Sequence, residues 1–316
     1  MLVATEHNRG RYVDQAQGLR DLAQGGSVTA LPASRVRCVA VGSGKGGVGK
    51  TVVSVGLALA LCERGKRVLL FDGDMGLANV DLQMGLVPDY TVQDVIFGTC
   101  ALEQACIRVD GGPDVLVSAS GAPDLVDLTP ARRKLFIEQL YRFAAQYDFF
   151  LIDTGAGIGR GSTDFLEASP EVLVVLTDEP TSLMDAYALI KTLHMRGRIQ
   201  ALGVIINMVD SLDTGERVFA RLHQIAQQFL GISLFLAGIL VYDRRVSDAI
   251  KKQQSIVQYA SGGAVAHCLR DLAQQFESKF LPVQKRIDFE RWVAQWESTA
   301  FLGQSLHASE HDKEGA

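Results

Sequence analysis

The stretch GSGKGGVGKT, Gly42 to Thr51, joins a dense run of glycines to two lysines and a threonine. Glycine lets a backbone wrap closely around a compact anion, and phosphate is the usual guest. Two templates overlap in these residues. Gly42, Gly44 and Gly47 satisfy G-x-G-x-x-G, the dinucleotide fingerprint, with Asp72 as an acid that would face a ribose. Gly44, Gly49, Lys50 and Thr51 satisfy G-x-x-x-x-G-K-[ST], the P-loop. The adjacent pair Lys50–Thr51 decides for the second. A P-loop needs a lysine for the β and γ phosphates and a hydroxyl for Mg²⁺ at the start of the next helix, and a dinucleotide site uses neither. The predicted nucleotide-binding segment is therefore Gly44, Lys45, Gly46, Gly47, Val48, Gly49, Lys50, Thr51 and Val52. That template needs one lysine only, so Lys45 is surplus to it.

Carboxylates follow at strand ends. LLFDGD puts Asp72 and Asp74 where an apolar strand runs out, the edge at which open α/β sheets hold ligands. Two acids spaced by two residues can serve Mg²⁺ and the attacking water separately. FFLIDTGAGIG repeats the design: Phe149 to Ile152 form an apolar strand and Asp153 emerges at its tip, the Walker B position. The glycines after Asp153 suit a loop that approaches a γ-phosphate and moves.

The elements that must position these residues alternate. RVRCVAVGS, KRVLLFDGD, VLVSAS, YDFFLIDTG, EVLVVLTDEP, ALGVIINMVD and LFLAGILVYD are short apolar runs without polar alternation, as in strands buried on both faces. Helical stretches separate them, beginning with KTVVSVGLALALCERG and including 131–146 and 183–195. This rhythm predicts an α/β fold, with a mostly parallel central sheet flanked by helices on both faces. A further helix at about 262–279 carries Val265, Cys268, Leu269, Leu272 and Phe276 on one side. Short helical extensions flank the core, so residues 1–34 read as a helix and tether, 35–281 as the nucleotide domain, and 282–316 as an amphipathic helix and polar tail.

The chain has 316 residues, 47% hydrophobic and 21% charged, ordinary for a globular protein with a sizeable core. A net charge of -5 argues against bulk nucleic-acid binding, so no direct nucleic-acid partner is expected. Five scattered cysteines without a C-x-x-C pair fit reduced thiols in a cytosolic setting. No leader is expected at the N-terminus, and the longest apolar runs are too short to span a bilayer.

KGGVGKT resembles the deviant Walker A loop of the MinD/ParA class of ATPases, and the resemblance covers about residues 35–280. It implies that Lys45 contacts the phosphates bound by a partner subunit, so that ATP builds a face-to-face homodimer with this lysine stabilising charge in trans. It also implies that ATP and Mg²⁺ are the cofactors. Lys50 and the loop amides would bind phosphates and Thr51 would ligate Mg²⁺. Asp72 and Asp153 would support the ion through water, and Asp74 would orient the attacking water. Lys45, Lys50 and Asp74 are then the catalytic set. Asn207 matches the family's adenine reader, Asp243 is the polar contact in the loop closing over the base, and Asp185 is a candidate contact for Lys45.

Within that class DGDMGLANVDLQMGL, DTGAGIG, DEPTSLMDAYALIK and DQAQGLR resemble the FlhG/FleN branch of flagellar-number regulators. The branch implies a slow, dimerisation-dependent ATPase switch that restrains flagellar gene expression and controls flagellar number and placement. Its implied partners are the FlhF GTPase, which it activates, a flagellar master transcription regulator, and flagellar C-ring proteins. Asp14, Gln15, Ala16, Leu19 and Arg20 match the short motif that engages FlhF. Two positions depart from the branch pattern, Val241 where proline is usual and Gly155 where alanine is usual. A partition or division-site ATPase of ParA or MinD type is the alternative, and the short basic stretches DRR and IKKQQ give it little to hold DNA with. A metal-cluster carrier of the same superfamily would need a C-x-x-C that this chain lacks.

Near the C-terminus, Phe289, Trp292, Val293 and Trp296 follow a helical stripe with arginines close by. Such a stripe suits a helix lying in a lipid interface, or one packed on its own domain. MinD-like proteins carry a membrane-targeting helix here, which implies reversible contact with the inner face of the cytoplasmic membrane at the cell pole.

Overall fold

In the computed structural model, β1 (Arg37–Ser43) runs through the middle of an eight-stranded sheet and is buried along nearly its whole length. The structure describes residues 36–120, 128–196 and 201–277. The segment with Asp14, Gln15, Ala16, Leu19 and Arg20, where the sequence predicts a helix, lies outside the described residues. So do Phe289, Trp292, Val293 and Trp296 and the polar tail.

The chain continues as α1 (Lys50–Glu63), β2 (Val68–Gly73), α2 (Val80–Met84), α3 (Val92–Ile96), α4 (Leu102–Ala105), β3 (Cys106–Ile107) and β4 (Asp114–Leu116). Then come α5 (Pro130–Ala144), β5 (Phe149–Ala156), α6 (Arg160–Ala168), β6 (Glu171–Leu176), α7 (Pro180–Met195) and β7 (Ala201–Val209). Last are α8 (Leu212–Leu230), β8 (Phe235–Val241), α9 (Arg244–Lys251), α10 (Ile256–Tyr259) and α11 (Ala264–Glu277). The sheet order is β3-β4-β2-β5-β1-β6-β7-β8, and the pairings are parallel except for β3 against β4 at the edge. Sequence periodicity predicted this mostly parallel sheet but not the two-residue strand β3, which is too short to show a period.

Alternation along the strands divides the core in two. Val39, Val41, Leu70 and Leu151 face the layer of α1 and α11. Phe71 and Phe150 face the other way, where Phe71 meets Phe165 of α6 edge-on at 5.2 Å and Phe136 of α5 at 6.5 Å. Helix α1 is buried on nearly every side, from Val52 to Leu61, because the sheet covers one flank and α11 another. Helix α11 is amphipathic, burying Val265, Leu269, Leu272 and Phe276 with the spacing of a single helical stripe.

Arg37 fastens α11 to the sheet. Its guanidinium reaches both oxygens of the buried Glu171 carboxylate at 2.7 Å, lies 4.8 Å over the Phe276 ring, and donates to the Phe276 carbonyl. This clamp sits at the N-terminal ends of β1 and β6. The C-terminal ends of the strands, on the opposite edge, carry the site.

Candidate functional site

The phosphate loop leaves β1 after Ser43 and enters α1 at Lys50. Gly49 is the N-cap of α1 with φ 90°, and Gly47 has φ 77°, a left-handed backbone that side chains resist. Gly49 must be bare for a second reason, since a Cβ there would overlap the Asn207 amide. That amide comes from the C-terminal end of β7 and donates to the Val48 carbonyl at 2.8 Å. Gly44 packs so tightly on the Asp185 backbone that a Cβ would collide with it. The loop is thus pinned from both sides by β7 and α7, with the open N-terminus of α1 between them, which is a natural anion site.

Asp153 stands on β5, with β1 and β6 between it and the β7 strand of Asn207, and is in register with Val41 on one side and Asp72 on the other. Its carboxylate accepts from the Thr51 hydroxyl at 2.7 Å and from the Ser54 hydroxyl at 2.8 Å. Ser54 also reaches the Lys50 carbonyl at 3.1 Å. Burial pushes the Asp153 carboxyl up to about 6, while the two hydroxyls and the charge of buried Lys50 pull it down. Asp72 is fully buried and accepts the backbone N–H of Asp74, Asn79 and Val80 at 3.1, 2.9 and 3.0 Å. Burial and the neighbouring Asp153 charge raise it to about 7 against those three donors. Asp72 therefore also shapes the loop that carries Asp74 and caps the start of α2. Asp74 is half-buried, with one oxygen accepting the Leu77 N–H at 3.0 Å.

These residues fit a Mg²⁺ ion that arrives with a phosphate chain. Two buried carboxylates on adjacent strands hold more negative charge than Lys50 alone offsets, and a divalent cation would relieve it. Among the described residues no three His, Cys, Asp or Glu side chains converge to hold a metal ion. The Thr51 hydroxyl, set against the Asp153 carboxylate, would be the group to hold such an ion, with waters and phosphate oxygens completing the oxygen shell that Mg²⁺ prefers.

Beside the loop lies a cavity of about 440 Å³ lined by Val52, Asn207, Met208, Val241, Tyr242, Asp243 and residues of α9. Its walls are mainly apolar with a few polar atoms, suited to a planar base. The structure thus brings Asn207 and Asp243 to one cavity. The Asp243 carboxylate is largely engaged: it caps α9 by accepting the Arg245 N–H at 2.9 Å and is gripped by the Arg245 guanidinium at 2.7 to 3.0 Å. Met208 is a bulge in β7, where pairing with β8 skips from Asn207 to Val209, and it has a left-handed φ of 59°.

Lys45 is engaged by a carboxylate other than Asp72, Asp74 and Asp153. Its ammonium lies 2.5 Å from Glu179 and 3.2 Å from the Thr181 hydroxyl, both at the start of α7, and not on the Asp185 side chain. Glu179, Thr181, Ser54 and Met208 are site residues that sequence reasoning missed. Glu179 and Thr181 stand in the quoted DEPTS run, which was a usable signal, whereas a one-residue bulge leaves no trace in periodicity.

A P-loop at the central strand, carboxylates on the two neighbouring strands to one side and a base cavity to the other define a nucleotide-binding P-loop protein. The model of the CobQ/CobB/MinD/ParA nucleotide binding domain matches residues 39–256, and the chain belongs to that family of nucleotide-binding ATPases. The antiactivator FleN of Pseudomonas aeruginosa is 40% identical over 258 residues, covering 82% of this chain and 92% of that protein. The flagellum site-determining protein YlxH of Helicobacter pylori is 28% identical over 243 residues, covering 76% of this chain and 82% of its own. The structure of the septum site-determining protein MinD from Pyrococcus horikoshii, complexed with Mg-ADP, superposes with a TM-score of 0.64 at 25% identity, covering 77% of this chain and 96% of that one.

Proposed function

We propose that this protein is an ATP-dependent dimerisation switch that controls flagellar number and placement by restraining flagellar gene expression. Its similarity to an antiactivator and to a flagellum site-determining protein supports the flagellar reading. The observation that carries the switch is the second lysine of the loop. Lys45 leaves its own phosphate site to Lys50 and turns to a surface-exposed partner, Glu179, so it is free to serve a nucleotide held by a second copy facing it.

ATP with Mg²⁺ supplies the phosphoryl group and the charge that draws the two copies together; a structural relative holds Mg-ADP. Lys50 and the loop amides bind the phosphates, Thr51 holds the ion, and Asp153 and Asp72 back it through water. Asp74 orients the attacking water, and Asn207 offers its side-chain oxygen to the base while its nitrogen stays on Val48. Lys45 crosses to the partner. The segment with Asp14, Gln15, Ala16, Leu19 and Arg20 engages the FlhF GTPase, and the stripe of Phe289, Trp292, Val293 and Trp296 makes reversible contact with the cytoplasmic membrane. A flagellar master transcription regulator and C-ring proteins are the further partners. Among the described residues no helix is long and apolar enough to cross a membrane.

Equilibrium sedimentation of the wild type, Lys45→Ala and Asp74→Ala with ATP and with ADP tests the switch. Asp74→Ala should accumulate as an ATP dimer and Lys45→Ala should stay monomeric. A monomeric Asp74→Ala that still binds ATP tightly would overturn the switch. The second reading, a positioning or partition ATPase, draws on the likeness to a septum site-determining protein. Capture with ATP and ADP from the native extract separates the two, since recovery of FlhF and a flagellar regulator supports only the first. A DNA affinity that falls steeply with salt would support partition instead.

A further inference from the structure

Gly155, two residues beyond Asp153 on β5, presents a bare face between two polar side chains. A Cβ at Gly155 would stand 2.8 Å from the Ser162 hydroxyl and 3.5 Å from the Asp74 carboxylate carbon and one of its oxygens. Ser162 lies in the first turn of α6 and is half-buried. Its hydroxyl donates to the Ala156 carbonyl at 3.1 Å, which commits its one proton and leaves its lone pairs to accept. The Asp74 oxygen beside Gly155, Oδ1, is the one that accepts the Leu77 N–H, and a carboxylate oxygen retains a further lone pair to accept with. The loop between them is fixed at its start by the Gly157 N–H on the Ser43 carbonyl at 2.8 Å. Two acceptors therefore stand beside the bare face of Gly155, where any side chain would crowd them.

We propose that Ser162 is a positioning residue for ATP hydrolysis, holding the attacking water jointly with Asp74 in the space left by the missing side chain of Gly155. A water that donates one hydrogen to Ser162 Oγ and the other to the Asp74 carboxylate has its lone pairs turned outward, the orientation a nucleophile needs. Asp74 supplies the negative charge and Ser162 the second fixed point, which removes the rotation a single hydrogen bond would permit. Gly155 matters through volume alone: a methyl group there would drive the hydroxyl off the Ala156 carbonyl.

This inference rests on Asp74 acting on water, and the experiment separates the two. Ser162→Ala, Ser162→Thr, Gly155→Ala, Asp74→Ala and the double variant Gly155→Ala/Ser162→Ala are compared for ATPase rate, for ATP affinity, for melting temperature without nucleotide, and for capture of ADP with aluminium fluoride and with beryllium fluoride. The aluminium fluoride complex includes the attacking water and the beryllium fluoride complex does not. Ser162→Ala and Gly155→Ala should each lower the rate by about tenfold, the worth of one lost hydrogen bond in the transition state. They should weaken aluminium fluoride capture by a similar factor and leave ATP affinity, beryllium fluoride capture and melting unchanged. The double variant should be no worse than the worse single one, and Ser162→Thr should retain activity. Wild-type rate and capture in Ser162→Ala, beside an inactive Asp74→Ala, overturn the role of Ser162 alone. Equal losses in both fluoride complexes and in melting also overturn it, because they mark a residue that only braces the loop. An active Asp74→Ala overturns the underlying reading.

Discussion

The Lys45 ammonium is held 2.5 Å from the Glu179 carboxylate within its own subunit, with the Thr181 hydroxyl at 3.2 Å. The pair is exposed, 40% for the lysine side chain and 59% for the glutamate, so water and salt screen it and it contributes little to folding. Lys45 holds the Glu179 carboxyl below its ordinary range, as a weak, local partner would. A contact of that kind parks a side chain without committing it. Glu179→Gln should therefore leave the melting temperature unchanged. Lys45→Ala should also melt normally and bind nucleotide within about threefold of the wild type, measured by fluorescence titration, while losing its ATP-dependent dimer.

Asp74→Ala separates binding from chemistry. Its carboxylate touches neither Thr51 nor Lys50, so ATP affinity should hold while turnover falls by about 10² or more, as expected when a water-orienting group is removed. Single-turnover phosphate release checks this directly. A parallel loss of nucleotide affinity would place Asp74 in phosphate binding instead.

Asn207→Ala should raise the dissociation constant for ATP by about tenfold, near 1.4 kcal/mol, because the Val48 carbonyl loses its partner and the base loses a polar contact. The preference for ATP over GTP should narrow at the same time. Isothermal titration with both nucleotides reads the two effects together.

Gly49→Ala addresses the loop itself. Left-handed φ and overlap with the Asn207 amide act in the same direction, at a cost of about 1–3 kcal/mol for the strained backbone alone. The variant should melt lower and bind no nucleotide, as thermal melting with and without Mg-ATP will show.

Arg37→Met probes the far edge of the sheet. It leaves the buried Glu171 carboxylate unpaired and should destabilise the fold by about 3–5 kcal/mol in urea, with nucleotide affinity retained by the folded fraction. Burial raises Glu171 and Arg37 lowers it, so the variant's carboxyl moves further up. A group whose folded pKa is raised holds its proton more tightly in the native state, which favours folding at low pH and fades as pH rises through that window. The deficit against the wild type should thus be smaller at about pH 5 than at about pH 8.

Much of this architecture was legible because it depends on period and on residue type. Seven apolar runs give strands, and P-loop spacing places Lys50 and Thr51 at a helix start, where α1 begins. The positions of Asp72 and Asp153 followed from the rule that ligands gather at the C-terminal ends of parallel strands, and the two are register partners. What was not legible depends on three-dimensional proximity. Ser54 joins Asp153 from a different element, Glu179 meets Lys45 across 134 positions of sequence, and the Met208 bulge arises from strand pairing that no single segment encodes. Gly155 was visible as a departure, but the neighbours that give its vacancy meaning, Ser162 and Asp74, were not.

The Arg37 clamp has a geometric consequence for the whole molecule. It pins the last turn of α11 to the N-terminal ends of β1 and β6, the edge of the sheet opposite the P-loop. Bracing of the fold and nucleotide chemistry are thereby lodged at opposite edges of one sheet, so the first can be altered while the second is left in place.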